Sequence, residues 1–204
     1  MADTFRDAGL RTVKTSFEYR LLGRANQVES LRRTVFLASL VVVGVALRIM
    51  LAEYPNFAPV GALALFAGAS FNDKKLAFIV PLVVMLITDW MIGFHPAVLY
   101  VYFAMAVYAG LGIWAGDGMQ ISRLVSATLA GSVSFFLITN FGFFIGFCPK
   151  TWQGFVDCYA MALPFFRHTL ISDFLFGTIF FSALAFAEQL SPRFRPAVNL
   201  KSDH

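Results

Sequence analysis

Between residues 34 and 188 the chain is a succession of long apolar runs with almost no charge inside them. Nothing else in the sequence narrows the fold so far. A run of about 20 apolar residues matches the thickness of a bilayer's hydrocarbon core when it is helical. Six such runs are predicted, at 34–52, 59–71, 76–94, 96–116, 124–146 and 159–188. The second is too short to span unless it is tilted, partial or buried in protein. The last is long enough to project beyond the membrane. Composition agrees with this reading. Charged residues make up 14% of the chain, against roughly 25% in soluble domains. Mean hydropathy is +0.71, and 24 phenylalanines exceed what a soluble fold of this size needs. The expected fold class is therefore all-α: a polytopic membrane protein, one six-helix bundle, with no second domain.

The basic residues orient the spans. Segment 1–33 carries Arg6, Arg11, Lys14, Arg20, Arg24, Arg32 and Arg33; Lys74 and Lys75 follow span 2, Arg123 follows span 4, and Arg193, Arg195 and Lys201 lie in the tail. With six spans all thirteen fall on one side, and only Lys150 falls opposite. Cytoplasmic loops are enriched in Lys and Arg, so both termini are expected in the cytoplasm. The net charge of +4 thus belongs to membrane flanks and does not indicate nucleic acid. Within residues 8–33, Leu10, Val13, Phe17, Leu21, Val28 and Leu31 recur near helical spacing among arginines. That pattern predicts an interfacial amphipathic helix, with contact to a cytoplasmic partner as the alternative. The expected organisation is a cytoplasmic amphipathic segment at 1–33, a membrane domain at 34–188 and a cytoplasmic tail at 189–204. No A-x-A-like site follows the first apolar run, so that run is expected to be an uncleaved anchor.

Ionisable groups within spans are costly and are usually paired or functional. The spans hold Arg48, Asp89, Arg167, His168 and Asp173, with Asn140 as a further polar group. Direction of travel puts most of them in the outer half. Asp89, for example, lies about 8 Å below the expected end of its helix at 1.5 Å per residue. Two readings stand side by side. Arg48 or Arg167 pairs with Asp89 to hold the bundle together, or these groups line a pocket opening outward. The outer loops add Asn56, set between Pro55 and Pro59, and His95, which is either solvated or a ligand contact. The aromatic residues crowding these edges are explained mainly by an interfacial belt. Cys148 and Cys158 fall on the outer side, ten residues apart. Whether they pair stays open, since sequence gives no geometry.

Nucleotide-binding and hydrolase motifs are absent: there is no G-x-x-x-x-G-K-[ST], H-E-x-x-H or G-x-S-x-G. Each would place a phosphate cradle, a zinc pair or a nucleophile at defined spacing. The chain is not expected to be an enzyme, and no cofactor or metal site is predicted. Gly61, Ala64 and Gly68, with Ala106 and Gly110, give the small-xxx-small spacing that lets membrane helices approach closely.

The stretches "PNFAPVGALALFAGASF", "VPLVVMLITDWMIGFHP", "ITNFGFF" and "YAMALPFFRHTLISDFLFG" resemble an uncharacterised bacterial family of ECF-type transporter S components. The resemblance covers about residues 36–188. It implies a six-helix protein that binds a small vitamin-like or cofactor-precursor molecule near its outer face. The implied binding residues are Arg48, Asn56, Asp89, His95, Asn140, Arg167 and Asp173. It also implies partners: a small-molecule substrate, the lipid bilayer and, unless the protein acts alone, an energy-coupling module of a transmembrane coupling protein and ATPases. One solitary S-component type binds cobalamin through a cysteine; spans 1–4 hold no cysteine here, so that ligand does not carry over. The alternatives are a non-transport scaffold or accessory subunit, and an ion-coupled carrier using Asp89 and Asp173.

Overall fold

A computed structural model describes residues 34–71, 73–94, 96–116 and 120–190, together with Gln27 and Leu31. The predicted amphipathic segment at 1–33 and the tail, apart from the helical residues up to Leu190, lie outside the described residues, as does His95. The described chain is all-helical: α1 Thr34–Met50, α2 Val60–Ser70, α3 Lys74–Ile92, α4 Val98–Ala115, α5 Ile121–Phe147 and α6 Trp152–Leu190. It divides into two units, Met1–Ser39 with Ala187–His204, and Leu40–Phe186. In the first, the described residues are Gln27, Leu31 and the helical ends 34–39 and 187–190. The second holds the packed helices and the site.

Helices α3, α4, α5 and α6 are long and apolar enough to cross a membrane, whereas α1 and α2 are shorter apolar helices. Among the described residues six helices are present, as expected; four meet the length of a span, and α2 is short, as its sequence indicated. The four long helices bury at most a third of their most apolar windows inside the protein. Ile87, Trp90, Leu99, Phe103, Leu137 and Ile171 point outward. In water such a surface would be an aggregation hazard; in hydrocarbon it carries no penalty.

α2 is the centre of the second unit. All eleven of its residues are buried, and at about 1.5 Å per residue it is roughly 16 Å long, half the hydrocarbon thickness. It packs against α3, α4 and α5, while Phe66 meets Phe180 and Phe181 of α6. A helix enclosed on all sides needs no amphipathic stripe, which is why "VGALALFAGAS" shows none. The α2–α4 crossing depends on glycine. A Cβ on Gly68 would strike the carbonyl of Ala109, and one on Gly112 would strike the carbonyl of Leu65. Gly61 and Gly68 thus sit at close contacts, but Gly110 faces open space. The helix uses Gly112, two residues on and about 200° round the axis.

One boundary departs widely from the sequence expectation. α6 begins at Trp152, well before residue 159, because Thr151 caps it: the Gly154 amide donates to Thr151 Oγ1 at 3.0 Å. A hydroxyl at this position satisfies an N–H that the first helical turn leaves unpaired. Cys148, at the end of α5, and Cys158, in the second turn of α6, form a disulfide. Lys150 donates to the carbonyls of Phe144, Ile145 and Cys148, the open end of α5. A cation at a helix C-terminus is favourably placed, which gives Lys150 a structural role at the end of α5.

Candidate functional site

α1, α3 and α5 end, and α2, α4 and α6 begin, toward one end of the second unit. A cavity of about 440 Å³ lies there, lined from all six helices and the 51–59 loop. Its depth comes from the shortness of α2. Tyr108 is ten residues into α4 from Val98, about 15 Å along the axis, yet it reaches the first turn of α2: a Cβ on Gly61 would lie 2.9 Å from its ring. α2 therefore begins well below the start of α4, and its N-terminus forms the cavity floor. The 51–59 loop descends from α1 to that floor. Asn56 turns it, with φ of 56°, a left-handed conformation that asparagine tolerates better than most residues. From α6, Phe176 packs on Phe57 at 5.8 Å between ring centroids, and Ser172 Oγ lies 3.4 Å from the Ala58 carbonyl.

The floor is built around Asp173, which is 2% exposed. Its Oδ2 accepts hydrogen bonds from the Tyr108 hydroxyl and, at 2.7 Å, from Ser132 Oγ. The Ser132 proton has a second acceptor in the Thr128 carbonyl at 3.0 Å; the shorter bond to the charged oxygen is the stronger one. The Ala62 backbone amide also hydrogen-bonds the carboxylate. Pro59, the residue before α2, offers no side-chain cap, so a carboxylate from α6 caps this helix instead, where the dipole favours negative charge. Gly61 makes that possible, since a Cβ there would lie 2.5 Å from Asp173 Oδ1.

Nearer the mouth, Arg48 of α1 forms an ion pair with Asp89 Oδ1 of α3, and its second terminal nitrogen donates to Met85 Sδ. The Asp89 side chain is 3% exposed and that of Arg48 15%. Among the described residues the buried atoms Arg48 Nε, Asp89 Oδ2 and Tyr102 Oη have no hydrogen-bond partner. Tyr102 stands within electrostatic reach of both charges, short of a full hydrogen bond. Between floor and mouth the wall is apolar and aromatic, with Val101, Met105, Phe135 and Phe143, broken by Thr139 and Asn140 on one side of α5. Asn140 Nδ2 donates to the Phe136 carbonyl at 2.7 Å, and among the described residues its Oδ1 has no partner.

Of the residues singled out in the sequence, Arg48, Asn56, Asn140 and Asp173 line the cavity together. Asp89 stands behind the wall as the partner of Arg48. Arg167 does not line the cavity; it is exposed. Six residues before Asp173, it lies about 240° round α6 at 100° per residue. His95 lies outside the described residues. Sequence reasoning missed Tyr108 and Ser132, the two hydroxyls on Asp173. A tyrosine buried ten residues into an apolar helix, rather than at its end, was the available signal for the first. Among the described residues no cluster of three or more His, Cys, Asp or Glu fits a metal ion.

The described residues define an all-helical fold, with four helices long and apolar enough to cross a membrane, that encloses a polar-floored, apolar-walled cavity at one end. The chain belongs to DUF6580, a family of unknown function, whose sequence pattern matches residues 28–195. No curated protein and no solved structure matches it.

Proposed function

We propose that this protein is a membrane-embedded, S-component-like substrate-binding subunit. It takes up a small vitamin-like or cofactor-precursor molecule through a pocket facing outward, and it is not an enzyme. The observation that carries the reading is the cavity: about 440 Å³, fed by residues from all six helices. Small-molecule sites run from about 300 to 1,000 Å³, with apolar walls and a few convergent polar groups. Charge asymmetry supports an outward mouth, since Lys74, Lys75 and Arg123 stand at the starts of α3 and α5, the end of the packed helices away from the cavity. The S-component resemblance supports a coupling module or solitary action as the source of transport. The Arg48–Asp89 ion pair already engages one of the two carboxylates that an ion-coupled carrier would use.

Native mass spectrometry of the detergent-purified full chain is the test. A small molecule should be retained by the wild type and lost from Thr139→Trp, which fills the cavity from its wall. Equal retention by both proteins, or none by either, counts against a binding subunit.

A further inference from the structure

We propose that the cavity selects a small organic cation, and that Asp173 receives its charged group. This rests on the reading of the cavity as a ligand site and names the class of ligand. The argument begins with the charges. Arg48 and Asp89 neutralise one another. Asp173 has no cationic partner among the described residues; its donors are two neutral hydroxyls and one backbone amide. An ionised carboxylate offers about four lone-pair directions, so three donors leave it one.

A helix N-terminus ordinarily attracts anions, which would point to the opposite class of ligand. Here that position is already taken. Asp173 sits against Gly61 and Ala62, the first turn of α2. The dipole contributes roughly half a positive charge, so about half a negative charge remains at the floor. An entering anion would meet a like charge in a site poor in water, whereas a cation would complete a pair. The wall favours the same sign. Phe135 and Phe143 line the approach, and aromatic faces stabilise cations by about 0.5–2 kcal/mol. Tyr108 and Ser132 hold the carboxylate by one oxygen, which fixes its direction before a ligand arrives.

The experiment uses three probes of one shape and different charge: benzamidinium, benzamide and benzoate. Their binding to the detergent-purified full chain is measured by calorimetry in sodium-free buffer. Benzamidinium should bind wild type at least tenfold more tightly than either other probe. Asp173→Asn should reduce that preference at least tenfold while Tyr108→Phe, which leaves the charge, keeps it. The wild-type preference needs no variant and stands as a test even if Asp173→Asn does not fold. A preference for benzoate or benzamide that Val101→Trp abolishes overturns the cation inference and leaves the ligand cavity intact. No binding of any of the three overturns both.

Discussion

Arg48 and Asp89 show what one residue pair costs and contributes in this environment. Each charge alone would be expensive in a low-dielectric interior; together they are a buried pair with Met85 sulfur on one side. Removing one partner strands the other, at a cost of about 3–5 kcal/mol, whereas replacing both with apolar residues is often nearly neutral. Arg48→Met should therefore lower thermal stability in detergent sharply. The double variant Arg48→Met/Asp89→Leu should recover most of the loss, and a double variant as unstable as the sum of the singles would show that the residues act separately. Gly61 is a second residue-scale test. Gly61→Ala places a methyl 2.5 Å from Asp173 Oδ1, so the carboxylate must leave the α2 amides. A drop in melting temperature is expected from that substitution, where alanine would ordinarily favour a helix. The costly charges were legible in the sequence because an ionisable letter in an apolar run is conspicuous. Their partners were not: Tyr108 and Asp173 are 65 residues apart, and nothing local signals the meeting. Arg167 drew attention for the same reason as Arg48. Which way it faced was hidden, because α6 is apolar nearly all round and gives no face to read.

At the scale of the element, α2 is the one helix whose role follows from its neighbours rather than its own pattern. Its eleven residues were recognisable as apolar and too short to span; that it is wholly enclosed follows only from the packing of α3, α4, α5 and α6 around it. The glycines separate the two kinds of information. Small-residue spacing is legible, but the face in contact is set by the helix crossing, which brings Gly112 and not Gly110 onto α2. Gly110→Ala should therefore stabilise the protein slightly, by up to about 1 kcal/mol, since it removes a helix-interior glycine into open space. Gly112→Ala should destabilise it, by about 1–3 kcal/mol as overpacking usually does, because its Cβ meets backbone that cannot rotate away. Denaturant titration of the two variants side by side reads the sign directly; the same sign for both would mean that α2 and α4 are not in close contact. The early start of α6 has a similar lesson. Thr151 caps the helix, but a threonine between a lysine and a tryptophan in a proline-containing loop does not declare itself as a cap until the chain direction is known.

For the whole molecule, three features distinguish one end from the other. The cavity mouth and the Cys148–Cys158 disulfide lie toward the end where α5 finishes and α6 begins, and Lys74, Lys75 and Arg123 lie toward the other. Disulfides persist in oxidising compartments and are rare in the cytosol. On the proposed topology the positive-inside rule would put this end outside. If both arguments hold, the cavity faces the environment, and binding there precedes passage inward; if the end faces the cytoplasm, uptake through this pocket is excluded whatever it binds. The two cysteines are the only ones in the chain, so labelling is unambiguous. In intact cells an impermeant maleimide should leave the protein unlabelled. After treatment with an impermeant phosphine reductant it should label both positions without lysis. Labelling that appears only when the cells are broken would reverse the orientation and end the uptake reading, while leaving the packed helices and the cavity as they are.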